Sequence, residues 1–275
     1  MSSTTDIKSG GLVTFTVKVA GNQIPDIMDI KAVTVENSVN RISIARISVI
    51  DGDPSTGTFE ASSSNTFLPG NEIIVEAGYD SKNKVIFKGI ITKQSIRIHG
   101  SLGGILEVEC RDKAIAMIVG RKSLTFAKKK DSEIITSIIG NYSGLSANVS
   151  ATDTQWPEQV QYYTTDWDFI LARAEANGQV VTVLNGEVAV FPPDKETKSV
   201  LDIQYGNNLL EFNADLDAIT QLAATKASSW DFTTQKVISG DATSSYAGPG
   251  NLSSKKLAEV VGLDNYELQT TAPLQ

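Results

Sequence analysis

Between Val13 and Val19, apolar Val13, Phe15, Val17 and Val19 alternate with Thr14, Thr16 and Lys18. A period of two fits a strand with one buried face and does not fit a helix. The same pattern returns at Val33 and Val35, then at Ile73, Val75, Ala77 and Tyr79. It continues through Val85, Phe87, Gly89 and Ile91, and again through Leu106, Val108 and Cys110. Twice the phase switches: Ile42 and Ile44 give way to Ile47 and Val49, and after Ile91 the apolar set becomes Ile96 and Ile98. Moving the inward face by one residue requires a bulge or bend, predicted near Ala45 and Arg46 in the first case. Bends of this kind suit strands that curl around a small barrel. The Ser/Thr/Gly/Pro-rich stretch 51–67 reads as an exposed loop, and Asp80 to Asn83 as a hairpin turn.

The middle of the chain is mixed. Asp131 is placed to cap a helix whose apolar face is Ile134, Ile135, Ile138 and Ile139, with Gly140 ending it. A second helix starts at Thr165, with Asp168 three residues on as a capping-box variant. Its apolar side is Trp167, Ile170, Leu171 and Ala174, and Asn177 and Gly178 stop it. Asn185–Gly186 between QVVTVL and EVAVF predicts a hairpin with a type I′ turn. From Leu201 the pattern returns to strands: Leu201, Ile203 and Tyr205, then Leu210, Phe212, Ala214 and Leu216, then Trp230 and Phe232. Val33, Val35, Val39 and Ile42 are spaced like Leu210, Phe212, Leu216 and Ile219, a weak internal echo. After a Gly/Ser/Pro-rich loop and the amphipathic KLAEVVGL, the last residues do not read as a closing strand. The last domain is therefore expected to be incomplete.

Composition narrows the function classes. The 275 residues carry 24 Lys and Arg against 32 Asp and Glu, a net charge of −8. An acidic surface repels phosphate, which argues against a general nucleic-acid binder. The Lys128–Lys130 run reads as a solvated loop before a helix. A single cysteine, Cys110, excludes an intrachain disulfide and sits where a small buried hydrophobe is expected. The first 20 residues lack the pattern of a signal peptide, and no apolar run reaches the ~20 residues of a membrane span.

Catalytic chemistry is thin. The one histidine, His99, lies in a predicted turn without a nucleophile elbow nearby. Asp166 and Asp168 are two residues apart on a helix and point about 200° apart, so they cannot share a substrate. They suit the helix N-terminal dipole instead. Asp215 and Asp217 read as the solvated face of a strand, and Asp51 and Asp53 as a calcium-loop fragment lacking its other ligands. The stretch GSLGG joins two strands, so no helix N-terminus follows it to hold phosphate. No catalytic, cofactor-binding or metal-binding residue is assigned, and no cofactor is expected.

The ordered segments FLPGNEIIVEAGYDSKNKVIFKGIITKQS, LEVECRDKAIAMIVGRKSLTF, DSEIITSIIG and TTDWDFILARAEANGQVVTVLNGEVAVFPP resemble those of contractile phage-tail hub proteins. They are equally similar to the first half of VgrG-type spike proteins and to the late control D proteins of tailed phages. The resemblance covers about Leu12 to Phe232, and its most specific pieces are the Asp166–Trp167–Asp168–Phe169 helix start and the FKGIIT hairpin. It implies an α+β, mainly β fold: two tail-tube-like β-barrels with smaller α+β insert domains. The expected division is a first barrel in 1–120, an insert with helix and hairpin in 121–200, and a second barrel in 201–275. The implied role is non-enzymatic, a trimeric hub or spike base that joins a threefold spike to a hexameric inner tube and transmits contraction force. Implied partners are a homotrimer, the inner tube protein, a spike tip protein and baseplate proteins, with no nucleic acid and no membrane in the resting state. Assembly in the bacterial cytoplasm and incorporation into a phage tail-like particle, released from the cell or not, follow from the same likeness. A carbohydrate- or protein-binding β-module and a hub-associated cell-wall hydrolase are the competing classes.

Overall fold

The computed structural model describes residues 11–25, 27–99, 103–193, 202–209, 211–219, 221–232, 234–243, 252–262 and 265–270. The chain is mainly β and forms two compact units, one within Thr5–Lys198 and the other within Ser199–Gln275.

The first unit opens with β1 (Val13–Val19), β2 (Asn22–Gln23), β3 (Ile30–Glu36) and β4 (Ile44–Asp51). A single helical turn, α1 (Glu60–Ser63), precedes β5 (Glu72–Tyr79), β6 (Lys82–His99) and β7 (Gly103–Arg111). These strands make one antiparallel seven-stranded sheet in the order β2-β1-β5-β6-β7-β4-β3. The inward face is the alternating set seen in the sequence: Val17, Val19, Ala45, Ile47, Val49, Ile73, Val75, Phe87, Ile91, Leu106, Val108 and Cys110 share one core. Strands from both ends of the sheet feed that core, so the sheet curls on itself. Among the described residues it does not close, because no ladder joins β3 to β1 or β2, and a closed barrel is not formed.

One phase switch is a bulge and the other is not. In β6 the register slips between Ile91 and Lys93, as expected. In β4 the ladder to β7 runs unbroken from Ile44 to Asp51, with Ala45 itself facing the core. Ile42 instead belongs to a second core, and Ile44 lines a cleft beside it, so two destinations replace the expected bend. The 51–67 stretch is no free loop either. Asp53 bridges Thr58, and Ala61 and Phe67 are buried.

The second core of this unit starts at a 3-10 turn, Lys113–Ile118, and continues through β8 (Arg121–Lys130) and α2 (Asp131–Ile139). Then come β9 (Ser146–Val149), β10 (Gln155–Thr165), α3 (Asp166–Ala176), β11 (Val180–Leu184) and β12 (Glu187–Phe191). Ile134, Ile135, Ile138 and Ile139 of α2 and Trp167, Ile170 and Ala174 of α3 pack against Val181, Val183, Val188 and Val190. The last four come from a three-stranded sheet ordered β11-β12-β9. Thr165 caps α3 by accepting from the Asp168 N–H at 3.0 Å. Asn185 and Gly186 both take positive φ, 55° and 90°, as the type I′ turn requires. Lys128 to Lys130 end a strand rather than form a loop. β8 pairs β10 in a two-stranded ribbon that the sparse apolar pattern of 121–130 did not announce.

Within Ser199–Gln275 the described strands are β13 (Ala224–Asp231), β14 (Lys236–Thr243) and β15 (Asn265–Thr270), with α4 (Ser254–Val261) between the last two. They form a three-stranded sheet in the order β14-β13-β15, where a second barrel is expected from the sequence. Asn265–Thr270 does close as a strand, pairing parallel with β13, contrary to the expectation for the chain's last residues. Ile203 is not in a strand, Tyr205 makes only an isolated bridge, and 211–219 has no ladder. Leu201 and Leu210, on which two of the expected strands begin, lie outside the described residues.

Candidate assembly surface

Four carboxylates, those of Asp51, Asp112, Asp131 and Asp166, are buried and engaged inside the fold. Asp131 does not cap α2 but sits at its first position, where it is 1% exposed. Arg173 of α3 grips it with two hydrogen bonds, at 2.6 and 2.8 Å, and Trp156 Nε1 and Asn177 Nδ2 donate at 3.0 and 2.9 Å. Burial works to raise the Asp131 pKa, but these donors outweigh it and hold the carboxyl below its usual range. Asp166 is built the same way: Lys122, Tyr142 and Gln161 donate to it at 2.6, 2.6 and 2.8 Å. Its pKa is lowered too, against the burial. The two hubs tie the β8–β10 ribbon to α2 and α3. Asp168, by contrast, faces solvent and accepts from Thr165, so the pair shares nothing.

Asp112 accepts from the Ala114 and Gly186 N–H groups at 2.9 and 2.8 Å, and burial raises its pKa. Asp51 receives the Ala61 and Ser62 N–H groups at 3.0 and 2.9 Å, anchoring α1, while Asp53 holds Ser55. Neither faces a cation site. Asp215 and Asp217 are exposed, though outside any strand. His99 is the last residue of β6, exposed and not in a turn. Three residues of GSLGG, Gly100 to Leu102, lie outside the described residues. Among the described residues no three His, Cys, Asp or Glu side chains converge as metal ligands, and no helix is long and apolar enough to cross a membrane. Burial pushes the Cys110 thiol up to about 12, with Glu109 adding to it.

What the surface offers instead is contact area. At one end of the curled sheet Val13, Phe15 and Tyr79 are exposed on its inner face. β6 is 18 residues long and outruns its neighbour: β5 pairs it only from Lys82 to Ile90. From Thr92 to His99 it has β7 on one side and, among the described residues, no strand on the other, and Ile96 and Ile98 are exposed there. On the ribbon, a bulge between Gln161 and Thr164 throws Tyr162 and Tyr163 into solvent, with Tyr163 at φ 42°. A cleft of about 360 Å³ beside the second core is lined by Arg41, Arg46 and Arg111, with Glu36, Ile42 and Trp167. Unpaired edges and exposed aromatic and aliphatic side chains are liabilities in a monomer and are the usual marks of interaction surfaces.

The fold that carries this surface is that of phage tail proteins. The 43 kDa tail protein of prophage MuSo2 from Shewanella oneidensis superposes with a TM-score of 0.68 at 12% identity, over 96% of this chain and 75% of that one. A tail protein from Neisseria meningitidis MC58 gives 0.63 at 12% identity, covering 95% and 72%. Prophage tail protein gp18 from Listeria monocytogenes EGD-e gives 0.55 at 14%, covering 93% and 72%. By sequence, residues 9–275 match the family described as the Alg8 N-terminal domain, and the chain belongs to that family. No curated protein matches it.

Sequence reasoning found Ile96 and Ile98 as strand residues but assigned them to a core. Nothing local marks them as exposed, because that depends on where β5 ends. The Tyr162–Tyr163 pair carried a signal, two adjacent aromatics interrupting an alternation, which is what a bulge writes into a sequence.

Proposed function

We propose that this chain is a structural hub or spike base of a contractile injection system, acting by assembly and load transfer and not by catalysis. Three copies would each contribute two barrel-like lobes, the curled sheet and the unit within Ser199–Gln275, to a ring that meets a hexameric tube above and a threefold spike below. Its partners would be the inner tube protein, a spike tip protein and baseplate proteins. It would assemble in the bacterial cytoplasm and end in a tail-like particle.

The observation that carries this reading is the match to tail-protein folds along more than nine-tenths of the chain. The open sheet and its exposed apolar residues support it, since an obligate trimer needs apolar interfaces on the order of 2,000 Å². Coupling sheath contraction to a tip requires stiff joints, and the ion pairs of buried Asp131 with Arg173 and of buried Asp166 with Lys122 pin the ribbon to its helices.

Mass photometry and electron microscopy of the purified chain test the proposal. The expected result is a trimer whose projection down the axis shows six lobes around a central channel. A stable monomer at every concentration overturns it.

A further inference from the structure

Two elements that are unpaired among the described residues are complementary. The first is the free edge of β6. Its ladder with β7 places Gln94, Ile96 and Ile98 on one face, opposite Val108, Leu106 and Gly104. Lys93, Ser95, Arg97 and His99 fall on the other. Ile96 and Ile98 are 48% and 66% exposed, and the buried Nε2 of Gln94 has no acceptor. Among the described residues Lys93 makes no ion pair, and Arg97 reaches Glu107 alone, at 3.0 Å.

The second is the stretch 211–219, which alternates as a strand does yet pairs with nothing among the described residues. Phe212, Ala214 and Leu216 take even positions, while Glu211, Asn213, Asp215 and Asp217 take odd ones. Phe212 and Leu216 are 73% and 70% exposed. Among the described residues none of the three carboxylates forms an ion pair. A run with strand periodicity, bare apolar side chains on one face and acids on the other matches an edge with bare apolar residues on one face and bases on the other.

We infer that Glu211–Asp217 of one copy adds as a strand to the Thr92–His99 edge of a second copy of this chain. Phe212 and Leu216 then cover Ile96 and Ile98, while the carboxylates face Lys93 and Arg97. Donor and acceptor are different patches of the same chain, so the contact is head-to-tail and closes a ring when the rotation permits. The inference rests on the assembly proposed above and names its joint.

Hydrogen exchange across a dilution series, read beside mass photometry, tests it. Amides of 93–99 and 211–217 are expected to gain protection together as the oligomer forms and to lose it together on dilution. Lys93→Glu with Arg97→Glu should weaken association at least tenfold and strip protection from both segments, leaving the strands around Cys110 protected as the control for folding. Adding Asp215→Lys and Asp217→Lys should restore both. An oligomer in which these segments stay unprotected overturns the inference and leaves the assembly reading standing. Protection that persists in the diluted monomer overturns it in favour of a contact within one copy. A chain monomeric at all concentrations overturns both.

Discussion

Asp131 keeps its charge while almost wholly buried, because a bidentate guanidinium and two further donors replace the water it has lost. Removing the guanidinium leaves a buried carboxylate uncompensated, which costs about 3–5 kcal/mol. Arg173→Met is therefore expected to lower stability in urea unfolding by about that amount, and adding Asp131→Leu should recover part of it. The acid response follows from the same hubs. Asp131 and Asp166 have folded pKa values below the ordinary 3.8, so their contribution is complete above that value and is lost as pH falls through the folded values. Melting temperature should fall steeply below about pH 4, and Asp131→Asn should flatten that fall. Asp112 works in the opposite sense: burial raises its pKa, so it takes its proton first and in doing so relieves a cost.

Among the elements, β6 decides most. Its first half belongs to a hairpin with β5 and its second to a ladder with β7, and Gly89 stands near the changeover. A Cβ there would lie 2.2 Å from the Arg111 carbonyl oxygen, so the β6–β7 contact exists only because the residue is glycine. Gly89→Ala is expected to destabilise the curled sheet by about 1–3 kcal/mol, measured by chemical denaturation, while Gly120→Ala, where a Cβ meets nothing within 4 Å and φ is not positive, serves as the exposed reference. The bulge after Ile91 was legible as a phase switch, as were the Thr165 cap and the Asn185–Gly186 turn. All three are local. The apparent switch at Ile44 misled because two neighbouring residues serve different destinations, which periodicity reports in the same way as a bulge. The β8–β10 ribbon was missed because most of its residues face solvent or polar partners.

For the whole molecule, assembly should show in thermodynamics as well as in images. A folded oligomer is stabilised over its unfolded chains by mass action. Melting temperature is thus expected to rise as the chain is concentrated from micromolar to hundreds of micromolar, and to stay constant if no assembly occurs. The mainly β class was legible from alternation alone. The sheet's failure to close was not, since closure depends on β3 meeting β1 or β2 from opposite ends of a seven-strand order. The expectation of a strand from Leu210 to Leu216 read the alternation correctly but supplied no partner for it.

Alternation, turn chemistry and helix caps determined most strands of the curled sheet, helices α2 and α3 and the β11–β12 hairpin, because those preferences act over a few neighbouring residues. Where the carboxylates of Asp131 and Asp166 point, which apolar residues remain in water, and which edge of β6 stays bare were decided by tertiary structure alone. Each depends on groups tens of residues away, brought close only once the chain has folded, and no period in the sequence encodes that distance.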